Sequence, residues 1–115
     1  MIIKYKPAYR KIAMGLLSYT PELKEVKTLQ ETMNEYESDE SMKLYLWKKE
    51  EDIVGVIGFQ ACTNGDVMLR HICVNPSYRH EGLGDTILST MEERLGKKFI
   101  ASDVTREFLE NRQSK

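Results

Sequence analysis

The chain has 115 residues, enough to bury a core within one domain. With 41% hydrophobic residues, 30% charged residues and a formal net charge of -1, it does not fit a nucleic-acid binder working by bulk charge. No apolar run approaches the ~20 residues of a membrane span, and the two histidines and two cysteines lack the spacing of a metal site.

Ile2 to Lys6 alternates and predicts a first strand. The same N-terminus shows neither a long apolar segment nor a small-residue cleavage site, so no secretory signal is read there. Pro7 suits a helix first turn, and Tyr9, Ile12, Ala13 and Leu16 then fall on one helical face. Ser18-Tyr19-Thr20-Pro21 breaks that helix and starts a second, with Thr20 as N-cap and Pro21 at the first helical position. Leu23, Val26, Met33 and Tyr36 share its inner face, and Glu37 to Glu40 reads as an acidic loop.

The period then changes. Leu44 to Trp47 predicts a short strand, and Ile53 to Phe59 an apolar, buried central one. Asn64-Gly65 is a hairpin signal, and Val67 to Val74 makes the next strand, ended by Asn75-Pro76-Ser77. Leu83, Ile87, Leu88, Met91 and Leu95 form a helical stripe closed by Gly96. Phe99 to Ala101 is a short strand, and Thr105 to Arg112 a last helix with Phe108 and Leu109 inward. The order β-α-α-β-β-β-α-β-α predicts an α/β domain over residues 1–115, with a mixed, mostly antiparallel sheet flanked by helices. Cys62 and Cys73 have no CxxC spacing. Both read as small core or near-core residues, in a reduced, cytoplasmic setting.

One stretch stands apart. "VNPSYRHEGLGDTIL" places Gly82 and Gly84 at the start of a helix, in a chain with only seven glycines. The first N–H groups of a helix have no intrahelical partner and carry the positive end of its dipole, which makes an anion site. Glycine lets a phosphate approach that backbone, and Arg79 adds a charged donor. A glycine pair before a helix is also simply a turn. No third glycine completes a dinucleotide fingerprint, and no Gly-Lys-Ser/Thr follows as in a P-loop.

Arg79-x-x-Gly82-x-Gly84, set in "LRHICVNPSYRHEGLGDTIL" and followed by an amphipathic helix, resembles the signature of the GCN-five-related N-acetyltransferases (GNAT). Stretches such as "KIAMGLLSY" and "DIVGVIG" extend the likeness to small acetyltransferase-like proteins encoded with riboflavin biosynthesis genes. The resemblance implies acetyl-coenzyme A or another acyl-coenzyme A as co-substrate and an unknown amine as acceptor, with no metal and neither nucleic acid nor membrane as partner. It implies a bulged strand before the loop, splayed from its neighbour. Ile72, Cys73 and Val74 on that strand would lie along the pantetheine arm. Arg79, His80, Glu81, Gly82, Leu83, Gly84 and Asp85 would surround the pyrophosphate.

His71, on the same strand, titrates near neutral pH when unperturbed. It is either a hydrogen-bonded structural histidine or the catalytic base. His80 borders the phosphates or is a solvated loop residue. Tyr45 and Trp47 line an acceptor pocket or sit in the core. The chain also departs from the family pattern. Leu109 stands where many members carry an acidic tyrosine, and Ser102 where an asparagine is common. Gln113-Ser114 replaces a glycine-phenylalanine, and the usual last two strands are lacking. These departures leave a non-catalytic coenzyme A-binding module as the alternative, and the open sheet edge predicts a homodimer.

Overall fold

The apolar middle of the chain makes three long strands, and these carry the rest of the molecule. A computed structural model describes residues 1–78 and 81–113. The elements are β1 (Ile2–Lys4), α1 (Arg10–Leu17), α2 (Val26–Ser38), β2 (Met42–Lys49), β3 (Asp52–Ala61), β4 (Val67–Val74), α3 (Leu83–Leu95), β5 (Phe99–Ala101) and α4 (Arg106–Gln113). The strands form one sheet in the order β1-β2-β3-β4-β5. All neighbours are antiparallel except β4 and β5, which α3 joins as a parallel crossover. The element order and the mixed α/β sheet are those expected.

The sheet is covered on both faces. On one, Ala13, Leu16 and Leu17 of α1 and Leu29, Met33 and Tyr36 of α2 pack on Leu44, Leu46 and Val56. On the other, Ile87, Leu88 and Met91 of α3 and Leu109 of α4 pack on Ile57, Phe59 and Leu69. Each aliphatic side chain fully buried this way stabilises the fold by about 1.5–3 kcal/mol.

A bulge in β4 decides which side chains face which layer. Gly58 of β3 pairs with His71, but Phe59 pairs with Leu69, so Arg70 is the extra residue. An extra residue shifts the two-residue alternation by one. Leu69 therefore faces α3, and beyond the bulge Ile72 and Val74 face that side as well. Cys73 joins the α1 and α2 core, and His71 meets Tyr36 of α2.

Several expectations are corrected in the helices. Ile12 is 41% exposed and Val26 64% exposed. Pro21–Leu23 is a separate 3-10 turn, so α2 begins only at Val26 and its buried face is Leu29, Met33 and Tyr36. Thr20 caps no helix with its side chain, and its hydroxyl instead lies 2.8 Å from Cys73 Sγ. Glu37 belongs to α2 rather than to an acidic loop, and it pairs with Arg10 and accepts from Tyr5 Oη at 2.7 Å. Tyr45 and Trp47 are half-buried and pack against the core on the α3 side, Tyr45 stacked on Phe59 at 5.9 Å.

Candidate functional site

Strands β4 and β5 run side by side only from Val67–Phe99 to Leu69–Ala101. The Thr105 hydroxyl donates to Leu69 O at 2.8 Å and accepts from Ser102 N–H at 3.0 Å, which closes the shared ladder there. From Arg70 onward the two chains part. Asn75 N–H donates to Val54 O at 2.8 Å, which sets the phase of the ladder between β3 and β4. In an antiparallel ladder the inward- and outward-facing residues alternate. Cys73 therefore turns its N–H and C=O toward β3, while Ile72 and Val74 turn theirs outward, into the gap.

The gap opens into a groove of about 760 Å³. One bank is the α1–α2 connection with Tyr19, Thr20 and Glu22. The floor is His71 to Val74. The far bank is the start of α3, Gly82 to Asp85, with Thr105, Phe108 and Arg112 beyond. The groove thus crosses the open edge of β4 from one face of the sheet to the other.

At the α3 end the backbone is bare. Gly82 precedes the helix at φ 70°, a left-handed conformation that costs a residue with a Cβ about 1–2 kcal/mol. The N–H groups of Leu83, Gly84 and Asp85 have no intrahelical acceptor and mark the positive end of the dipole. Asp85 does not cancel that field unopposed, because Arg112 Nε lies 3.4 Å from its carboxylate. The same guanidinium holds Glu92 at 3.1 Å and Ser89 at 2.6 Å, tying α4 to α3. Glu81 does not line the groove, and its carboxylate takes Lys49 Nζ at 2.7 Å. Arg79 and His80 lie outside the described residues, as does Ser114.

His71 is buried at the bulge, and its Nδ1 lies 2.6 Å from the Tyr36 hydroxyl. Burial first, and then the neighbouring Arg70 charge, push its pKa down from 6.5 to about 4. The unfolded chain therefore binds this proton below about pH 6.5 and the folded chain only below about pH 4. Stability falls as the pH is lowered through that window, by about 3 kcal/mol from this residue, and no further below it. Denaturant midpoints for wild type and His71→Gln should show that slope for the wild type and a flatter one for the variant. Parallel curves would contradict it.

Groove residues supplied by the α1–α2 connection and α4, namely Tyr19, Glu22, Glu107 and Arg112, carry no spacing signal in the sequence. Tertiary packing alone brings them to β4. Leu109 is 6% exposed in the core and offers the groove no hydroxyl. The Ser102 hydroxyl is held at 3.0 Å by Thr105. Among the described residues no cluster of His, Cys, Asp and Glu could hold a metal, and no helix is long and apolar enough to cross a membrane.

Residues 9–112 match the acetyltransferase (GNAT) family. A curated relative, an uncharacterized N-acetyltransferase in the lysA 3′ region of Bacillus methanolicus, is 45% identical over 96% of this chain and 92% of its own length. Solved structures share the fold at low identity. The aminoglycoside N-acetyltransferase AAC(6')-Iy, in complex with coenzyme A, has a TM-score of 0.75 at 14% identity, covering 99% of this chain and 84% of that one. A possible acetyltransferase from Clostridium difficile 630 has 0.73 at 10% identity, covering 100% and 89%.

Proposed function

The chain belongs to the acetyltransferase (GNAT) family, and on that footing we propose that it moves an acetyl group from acetyl-coenzyme A directly to a primary amine of a small molecule or protein. The observation that carries the reading is the parting of β4 from β5. It leaves the outward backbone of Ile72 and Val74 as an unfilled strand edge, leading to the bare start of α3. An extended amide-bearing arm can pair with the first, as an added strand would. A pyrophosphate suits the second.

In the transfer the neutral amine nitrogen attacks the thioester carbon, and the carbonyl electrons move onto oxygen. They return as the carbon–sulfur bond breaks and the thiolate leaves with its electron pair. The nitrogen gives up its extra proton, which ends on sulfur or in solvent. Amine and acyl thioester become amide and free thiol.

His71 is the residue of the catalytic proposal. With its pKa near 4 it is a poor proton acceptor for an amine, so its part is better sought in hydrogen bonding than as a base. The second reading, a coenzyme A-binding module without turnover, is favoured by the burial of Leu109 where the family often has its tyrosine. Thiol release from acetyl-coenzyme A with a panel of primary amines separates the two. Amine-dependent release supports transfer. Binding without release across a panel that serves another family member supports the module.

A homodimer across the β5 edge, where Ile100 is 40% exposed, belongs to the same proposal, and a monomer in sedimentation at high concentration would remove it. The cytoplasmic setting and a role in riboflavin metabolism rest on the sequence reading. Acetylation of an amine-bearing flavin precursor would be the test of the latter.

A further inference from the structure

Three separate features of the chain converge on one buried contact. The bulge at Arg70 turns His71 toward α2. Tyr36, 35 residues away in sequence, brings its hydroxyl to 2.6 Å from His71 Nδ1, with the rings edge-on at 5.7 Å. Gly58, the ladder partner of His71, leaves the space that the Tyr36 hydroxyl occupies: a Cβ there would overlap it and lie 2.9 Å from ring carbon Cε1.

The hydrogens of this contact can be assigned. Burial raises the Tyr36 pKa, so the phenol keeps its proton. Among the described residues His71 Nδ1 is the partner of the Tyr36 hydroxyl, and the arrangement that leaves no buried O–H unpaired has the hydroxyl donating and Nδ1 accepting. A neutral imidazole that accepts at Nδ1 carries its hydrogen on Nε2. Among the described residues no buried side-chain nitrogen or oxygen lacks a partner. Nε2 has no hydrogen-bond partner among the described residues and so is not fully buried, and His71 lines the groove.

We propose that Tyr36 is a positioning residue that holds His71 in the Nε2–H form, so that the ring offers the groove a neutral N–H donor for the acyl oxygen that gains charge during transfer. A donor placed where charge develops acts on the transition state, and one held in advance needs no reorganisation. No proton is transferred in this role: the hydrogen stays on Nε2 while the tetrahedral oxygen forms and collapses. The proposal rests on the acetyl-transfer reading, but its first test does not use turnover.

Nitrogen-15 spectra of the free protein at pH 7 report the tautomer directly, with a His80→Gln variant to assign the two rings. The expected signature for His71 is an acceptor-type Nδ1 and a protonated Nε2. In Tyr36→Phe that signature is expected to blend toward a mixture of tautomers, and kcat to fall about tenfold, with KM for acetyl-coenzyme A within about twofold. His71→Gln, which keeps an N–H donor but no base, should retain more turnover than His71→Leu. A protonated Nδ1 in the wild type, or an unchanged kcat in a folded Tyr36→Phe, would overturn the proposal. A correct tautomer in a protein that transfers nothing would instead count against the acetyl-transfer reading.

Discussion

Gly84→Glu should lower affinity for coenzyme A at least about 100-fold, equivalent to ~2.7 kcal/mol, while leaving the fold standing. The expectation follows from where the new atoms go. A Cβ at Gly84 would meet Phe108 Cε2 at 3.5 Å and Cζ at 3.6 Å, ordinary contacts that the fold accommodates. The rest of the side chain would have to lie in the groove at the start of α3. It would set a carboxylate where the helix dipole and the unpaired N–H groups otherwise favour a phosphate. Gly84→Ala is the matched control, with affinity within about threefold because its methyl group fits. Gly82 is the less clean position, since any side chain there also strains the left-handed backbone. Titration calorimetry with a thermal melt of each variant checks this. Normal binding by a folded Gly84→Glu would place the anion site elsewhere.

Gly58→Ala should be the most destabilising single methyl group that can be added to the sheet. The new Cβ would collide with the Tyr36 hydroxyl and ring, and that ring is buried in the α1 and α2 core, where it has little room to move aside. Overpacking of this kind typically costs 1–3 kcal/mol, and losing the partner of a buried imidazole nitrogen adds about 1–3 kcal/mol. A melting temperature lower by roughly 10 °C or more is expected. The clash has a named partner, so the double variant Gly58→Ala/Tyr36→Ala should be less destabilised than the sum of the singles, by at least about 1 kcal/mol. Additive losses would mean that Gly58 and Tyr36 do not meet.

The strands and the third helix were legible because their signals are local. Val67 to Val74 and Phe99 to Ala101 are bounded in the structure as the sequence predicts, and Gly96 ends α3 where a C-terminal glycine belongs. In the first two helices Ala13, Leu16, Met33 and Tyr36 are buried as the sequence predicts, and one position in each, Ile12 and Val26, is not. Counting the inner face from Pro21 carries the period across a 3-10 turn and through Lys24-Glu25, where no continuous helix exists, which puts Val26 inside and omits Leu29. Ile12 failed for a related reason: α1 packs through Ala13, Leu16 and Leu17, which rotates its buried face away from Ile12.

The site was half legible. Gly82 and Gly84 announce themselves because glycine at a helix start is locally costly. The bulge does not. "VMLRHICV" alternates in burial without a break, yet the side chains change face at Arg70, and nothing in the residue types marks the step. The reason for Gly58 is equally hidden, because the ring that fills its space arrives from α2, and an apolar run with a glycine reads as ordinary buried strand.

On the function proposed above, the groove along β4 and the start of α3 binds coenzyme A. The most direct test is a calorimetric titration of the wild-type protein with coenzyme A and with acetyl-coenzyme A, repeated on Gly84→Glu. Saturable binding of both by the wild type, lost in the variant, is the predicted result. No binding of either by the folded wild-type protein would contradict the account, and the acyl-transfer and coenzyme A-module readings would fall together.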